Sequence, residues 1–318
     1  MGKLFLERKG TVYFGIHHTE DNFDLVMVLL ATRLSVKDIS RIMEIDERTI
    51  NNWAVKAAEF LKKVHESFIK DLEITECQID EMWTFVLMKR KTASLKGLEN
   101  NVSIGEQWIF IAIDAVTKLL LHWKIGKRTL EVAKLFIGEL KEKLASNPLF
   151  TTDEFAAYEE AFLSNFCNEI KPEPTGKRGR PRTKVKKVPL KELKLAQVHK
   201  TRENGKVIDI SQKIVFGEQE EIFNIINSSP VSNIINTSIV ERQNGTVRSR
   251  NPKVVRKTYS FSKKLEMLKA HMTIYFVFYN FIWLHSRHKK TAAWKHGIVN
   301  HKMTFKELFE IRHIEFNL

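Results

Sequence analysis

The chain has 318 residues, 43% of them hydrophobic, with a formal net charge of +14 and only two cysteines, Cys77 and Cys167. That length allows two domains or one with appendages, and the cysteines exclude a disulfide framework or a zinc ribbon built between them. The longest apolar run, MTIYFVFYNFIWL at 272–284, is interrupted by Asn280 and falls short of the roughly 20 residues of a membrane span. The N-terminus MGKLFLERKG lacks the apolar stretch of a signal peptide. The expected setting is the cytoplasm, at the nucleoid. A pI near 9.6 points to a polyanionic partner, nucleic acid before a membrane surface.

Residues 22–64 have helical period. NFDLVMVLLATRL gives an amphipathic helix. Ser35 then caps a short helix to Met43, a turn spans Glu44 to Asp46, and a second helix starts near Glu47. Ile39, Ile42, Ile45, Ile50 and Trp53 supply the seam between them. This spacing predicts a helix-turn-helix, whose second helix offers its N-terminal side chains to the major groove. Arg48, Thr49, Asn51 and Asn52 are the candidate groove-facing residues. An ordinary helical hairpin is the plainer alternative. The all-α DNA-binding domain is assigned to residues 1–70.

From residue 74 the period changes to two. ECQIDEMWTFVLMKRK (76–91) reads as a strand with Cys77, Ile79, Trp83, Phe85 and Leu87 on one parity, interrupted by Glu81. QWIFIAID and LLLHWKIG follow as a hairpin. TLEVAKLFIGELKEKLA is an amphipathic helix with Val132, Leu135, Phe136, Leu140 and Leu144 on one face. PLFTTD is a short strand ending at Asp153, and EFAAYEEAFLSNF a second helix. The order β-β-β-α-β-α predicts a mixed sheet flanked by helices.

Between Lys171 and Lys187 stand eight Lys/Arg and one Glu. This segment carries KRGRPR, in which Lys177, Arg178, Arg180 and Arg182 suit a narrow minor groove or, more plainly, a solvated linker. LAQVHKTRENGKVIDISQKIVFG predicts a hairpin turning at Glu203 to Gly205, within a basic insertion of about 171–217. A helix capped by Asn236 or Thr237 follows. SFSKKLEMLKAHMTIYFVFYNFIWLHS then gives a long helix, buried all round in its second half. The α/β domain is assigned to 71–290 and a tail to 291–318.

Two adjacent carboxylates, Asp80 and Glu81, have no basic partner in local sequence, and they repel unless a cation lies between them. If the first and fourth strands are neighbours, Asp80 and Asp153 meet. Glu241 is the candidate third ligand, on a helix whose exposed face also carries Asn244 and Arg248. Three such acids suit two Mg²⁺ or Mn²⁺ ions, which activate a water or 3′-hydroxyl and stabilise the leaving oxygen of a phosphoryl transfer. Arg242, Gln243 and Arg248 are candidates for phosphate contact. The plainer readings are a solvated edge-strand Asp80 and a helix-dipole Glu241. Asp114 is a rival second acid, but it heads a tight turn, where Asp bonds its own backbone. Glu81 is expected in solvent or beside the site. Trp83, Trp108, Trp123 and Trp283 read as core, and Trp294 as the one with an exposed role. His285, His288, His296 and His301 read as surface or DNA-facing.

QIDEMWTFV, AIDAVTK, GKR, FTTDEFAAY, KRGRPR, AQVHKTRENGKV and NTSIVERQNGTVRSRN…TYSFSKKLE run in this order, and the chain resembles the DDE transposases of prokaryotic insertion sequences from about residue 10 onward. The resemblance implies a helix-turn-helix followed by a ribonuclease-H-like domain, with Asp80, Asp153 and Glu241 as the catalytic, metal-holding triad. The implied substrates are double-stranded DNA bearing terminal inverted repeats and a target DNA. The implied reaction is nicking followed by attack of the freed 3′-hydroxyl. A homo-oligomer is expected, since two ends must be brought together. Many relatives carry a Cys-rich zinc ribbon ahead of the helix-turn-helix. This sequence has no cysteines for one, so the expectation is either end recognition without it or a truncated, silent copy. Two other classes stay open: a transcription regulator, for which Asp80→Asn is silent, and a nuclease of the same fold that cleaves without joining.

Overall fold

The computed structural model describes residues 8–170 and 185–311. Lys177, Arg178, Arg180 and Arg182 lie outside them. Three helices open the described chain: α1 (Glu20–Ala31), α2 (Val36–Met43) and α3 (Glu47–Phe68). Each starts where its sequence supplies a cap. The Thr19, Ser35 and Asp46 side chains accept from the first-turn amides of Asn22, Asp38 and Arg48 respectively. Glu44 takes a left-handed conformation, φ 56°, and so ends α2. Ile39, Ile45, Ile50 and Trp53 are buried as expected, but Ile42 is 63% exposed and does not belong to the seam. The turn after α2 leaves Ile42 on the outer face of a helix only two turns long.

The sheet follows. β1 (Glu76–Val86) is separated from β2 (Gly105–Asp114) by a short helix, α4 (Arg90–Leu95), which the strand period did not suggest. β3 (Leu120–Gly126), α5 (Leu130–Lys141), β4 (Leu149–Asp153) and α6 (Ala157–Asn165) complete the β-β-β-α-β-α order. α5 buries Ala133, Phe136, Ile137 and Leu140, while Leu135 is 56% exposed. The buried stripe is thus turned by one position from the expected face.

After α6 come a small two-stranded ribbon, β5 (Cys167–Ile170) with β6 (Lys186–Pro189), and then β7 (Lys194–Glu203) and β8 (Lys206–Phe216). The β7–β8 hairpin turns at Asn204 and Gly205, both at positive φ, which suits an Asn-Gly pair. This hairpin was expected inside an insertion. It is instead part of the main sheet, because β7 pairs in parallel with β4. The six-stranded sheet has the order β3-β2-β1-β4-β7-β8, antiparallel across β1–β3 and β7–β8 and parallel from β1 through β4 to β7. The protein is therefore α/β with a mixed sheet. β1 lies inside the sheet, not at its edge.

α7 (Gln219–Ser228) covers β4 and β7 through Ile222 and Ile226, and α8 (Ser238–Arg250) crosses β1 and β2. α9 (Leu265–Val277) starts later than expected and runs into a single π turn, Phe278–Ile282, which is buried throughout but for Phe278. α9 packs along α3, and the Asn280 amide in the π turn donates to the Leu120 carbonyl at 2.8 Å. The segment expected as a tail carries α10 (Ala292–His296) and α11 (Phe305–Phe309). Phe309 is buried, its ring 5.4 Å from Phe23 and 5.9 Å from Phe60. One hydrophobic core runs from Val12 to Phe309, joining the first helices, the sheet and α11. Among the described residues no helix is long and apolar enough to cross a membrane.

Candidate metal centre

Strand pairing delivers the two aspartates. β1 and β4 are parallel neighbours with Gln78 opposite Thr151, so two residues further along Asp80 stands level with Asp153. Asp153 is the last residue of β4, and its Oδ1 accepts the Phe155 amide at 3.2 Å as the chain turns into α6. β4 stops at Asp153 while β1 runs on past Asp80 to Val86, so the cleft opens beside the end of β4, where side chains of neighbouring strands can converge on a ligand.

α8 is fastened to β1 at two points. The Gln78 carboxamide oxygen accepts the Ile239 and Val240 amides at 2.9 and 3.1 Å, so a side chain of β1 caps the first turn of α8. One turn further on, the Asn244 amide donates to Asp80 Oδ2 at 2.8 Å. Asn244 is thus buried against β1 and not on an exposed face. Glu241 lies between these two fasteners, and its carboxylate is held by the Lys200 ammonium and, at 2.5 Å, by the Thr237 hydroxyl.

Asp80, Glu81 and Asp153 each offer a carboxylate oxygen within 4.8 Å of the others. Glu241 lines the same cleft of about 640 Å³ with Asp80, Asp153, Arg128 and Lys200. The tight acidic group therefore contains Glu81 in place of Glu241. Glu81 does not face solvent: its side chain is 1% exposed. Arg128 Nε donates to Glu81 Oε1 at 2.5 Å and the Tyr158 hydroxyl to Oε2 at 2.9 Å. The Arg128 guanidinium also reaches to 3.8 Å from Asp153 and stacks 4.1 Å from the Phe155 ring centroid.

The electrostatics mark this as an unbalanced site. Burial, and after it the Asp153 charge, push Asp80 up to about 7. Burial and Asp153 push Glu81 up to about 7 as well, against the pull of Arg128. Burial raises Asp153 too. Carboxylates held together away from water take up either protons or a cation. The donor set is all oxygen, the kind that Mg²⁺ or Mn²⁺ prefers. Glu81 is held by Arg128 and Tyr158 and does not line the cleft, whereas the Asp80 and Asp153 carboxylates do. The residues present therefore fit a hard cation at Asp80 and Asp153.

The other expected contacts fall in several places. Arg48 and Asn52 are exposed on the first turns of α3, with Thr49 and Asn51 half-buried beside them. Arg242 is exposed, but Gln243 is buried on the side of α8 away from Asp80. Arg248 is half-buried and reaches the Trp83 carbonyl at 3.5 Å. Asp114 keeps to turn chemistry: its oxygens accept the Val116 and Thr117 amides, each at 3.0 Å. Trp83, Trp108, Trp123, Trp283 and Trp294 are all half-buried, so Trp294 does not stand apart as an exposed one. Arg128, Lys200, Gln78 and Tyr158 were not singled out by sequence. Each falls within a string quoted for the resemblance (QIDEMWTFV, GKR, FTTDEFAAY and AQVHK), but none carries a local signal of its role.

Compared with known proteins, the chain matches no family model and shows no significant sequence similarity to any curated protein. Fold and site define a class: an α/β protein with a mixed six-stranded sheet and a partly buried acidic group that could hold a metal ion beside the end of β4.

Proposed function

We propose that the chain is a metal-dependent DNA transposase of the DDE type, with a ribonuclease-H-like catalytic core behind a helix-turn-helix. The observation that carries this reading is the meeting of Asp80 and Asp153 on parallel neighbouring strands, with Glu241 on a helix tied to β1 at Gln78 and Asn244. Asp80 and Asp153 would hold the ion, and Glu241 would join them once Lys200 and Thr237 release it. Bound Mg²⁺ or Mn²⁺ would supply an activated water or 3′-hydroxyl and stabilise the leaving oxygen.

The chain's own residues then have separable tasks. Asn244 orients the Asp80 carboxylate. Arg128 neutralises buried Glu81 and leaves the aspartates as the open acids. Lys200, a cation within the cleft, is positioned to take a phosphate oxygen when DNA arrives. The exposed Arg48 and Asn52, after a short helix and a three-residue turn, support groove contact by α3. The charge of +14 supports a backbone-binding protein.

The test is a joining assay on labelled duplex carrying the DNA that flanks the gene, with wild type and Asp153→Asn in Mg²⁺, Mn²⁺ or EDTA. Joined product from wild type alone, lost in EDTA, is expected. Cleavage without joining would favour the nuclease reading. Binding without cleavage by either protein would leave only the DNA-binding regulator.

A further inference from the structure

The far side of α8 borders a second and larger cavity, of about 930 Å³. Arg242, Gln243 and Arg250 face it, whereas Glu241 lines the acid cleft and Asn244 bonds Asp80. Its opposite wall comes from the π turn and the segment after it, and its floor from the β2–β3 turn. It is separated from the acid cleft by the thickness of one helix.

Two features make it a built site. The first is a set of cations with no ion pair among the described residues. Lys118, Arg250, Arg287 and Lys295 line the cavity, and none makes an ion pair among the described residues. The two lysine ammoniums donate to the neighbouring carbonyls of Ala115 and Val116, which draws them together at one end. Burial and then the Lys295 charge lower Lys118 to about 8, with Asp114 and Glu76 opposing only in part. The second feature is an unpaired buried donor beside an aromatic wall. Gln243 is 5% exposed, and its Nε2 has no hydrogen-bond partner. Across from it, the Trp283 and His285 rings lie parallel with centroids 5.9 Å apart, Tyr279 meets Trp283 edge-on, and the Arg250 guanidinium stacks 4.5 Å from the Trp283 ring.

We propose that this cavity binds a nucleotide, its base against the Trp283 aromatic wall within reach of Gln243 and its phosphate among Lys118, Lys295 and Arg250. A bare phosphate would leave the aromatic wall and Gln243 unused. An apolar ligand would leave these cations and the buried amide unanswered. A nucleotide offers a π face, hydrogen-bonding edges and an anion in one unit, and every base has such a face. The source is either a free nucleotide or an unpaired unit of a nucleic-acid strand. The inference does not depend on the acid cleft being catalytic.

The test is calorimetric titration of the full chain in EDTA, so that no metal at the acid cleft recruits the phosphate. The probes are dAMP, deoxyadenosine, inorganic phosphate and a short oligo(dA). We expect deoxyadenosine and phosphate to bind at least about fivefold more weakly than dAMP or the oligonucleotide, on the scale of one stacking contact. Trp283→Leu and the exposed Arg250→Gln should each weaken binding by a similar factor, Trp283→Phe should restore most of it, and Asp153→Asn should leave it unchanged. Tight binding of dAMP identifies a free-nucleotide site, and binding of oligo(dA) alone identifies a strand. Phosphate binding as tightly as dAMP, no saturable binding of dAMP or oligo(dA), or affinity indifferent to both Trp283→Leu and Arg250→Gln would overturn the proposal.

Discussion

Glu139 on α5 and Asp80 on β1 are both carboxylates in contact with the sheet, yet their surroundings act on them in opposite directions. Glu139 accepts from His122 at 2.9 Å and Lys124 at 2.6 Å, and these hydrogen bonds pull its carboxyl down to about 2. Burial lowers the His122 imidazole against the pull of Glu139, and the Lys124 ammonium adds its charge beside it. Asp80 has two hydrogen-bond donors but no cation of its own. Burial and Asp153 push it up to about 7. One cluster is complete within the protein, and the other holds a surplus of negative charge where β4 ends beside β1. A structural ion pair balances itself, whereas a site is left unbalanced toward what it binds.

The largest effect expected from breaking this contrast is on chemistry. Asp80→Asn or Asp153→Asn should reduce metal-dependent joining by at least about a hundredfold, the scale of losing one acid–base or electrostatic group. Glu139→Gln, measured in the same assay, should leave it near wild type. If Glu139→Gln were as damaging as Asp153→Asn, the distinction between the clusters would fail.

The same contrast has a signature in stability. Asp80 and Glu81 have folded values near 7, above their ordinary values of 3.8 and 4.5. The stability they contribute is fully present below those ordinary values and is lost as pH rises through 7. A cation replaces the protons, so Mg²⁺ should raise the thermal midpoint more at pH 8 than at pH 5.5. Asp80→Asn should flatten the fall in midpoint across that window and remove most of the Mg²⁺ effect. Scanning calorimetry at both pH values reads this directly. A midpoint equally indifferent to Mg²⁺ at both would sink the idea of a cation at Asp80.

A smaller effect belongs to the fastening of α8. Gln78→Ala removes the acceptor of two first-turn amides, which should cost about 1–2 kcal/mol, the range of a lost helix cap. Because Gln78 bonds the amides just before Glu241, joining should fall through misplacement of Glu241. Denaturant unfolding measures the first loss, and joining under fully folded conditions measures the second. Unchanged joining would mean that Asn244 alone holds the helix in place.

Periodicity disclosed much of this frame and local sequence almost none of its wiring. The helix starts at Ser35 and Asp46, the strands around Asp80 and Asp153, and the Asn-Gly turn all follow from capping, alternation and turn chemistry, which act within a few residues. Ile42 and Leu135 were misassigned because helical period gives a stripe and not its exact rotation toward neighbours that are distant in sequence. β7 looked like an insertion because its strand partner, β4, lies across the basic segment. Glu81 has its partners far from local view. Its Arg128 is 47 residues away and its Tyr158 is 77, so a carboxylate that looks partnerless in sequence is fully bonded in space. Gln78 capping α8 spans 161 residues and has no local signal at all.

The smallest effect expected is at Glu139, and it fixes the other end of the comparison. Its folded value, near 2, lies below the ordinary 4.5, so its stabilisation is present above 4.5 and is lost as pH falls through 2. The side chain is 43% exposed, and solvent screening keeps the pair with Lys124 to about 1 kcal/mol or less. Glu139→Gln should therefore lower the midpoint slightly at pH 7, and the difference from wild type should vanish near pH 2. Added salt should shrink it further, since an exposed pair is screened. Mg²⁺ should have no influence on that difference at any pH, because the carboxylate already has its cation. A Mg²⁺-dependent difference would place Glu139 with Asp80 among the acids waiting for a ligand.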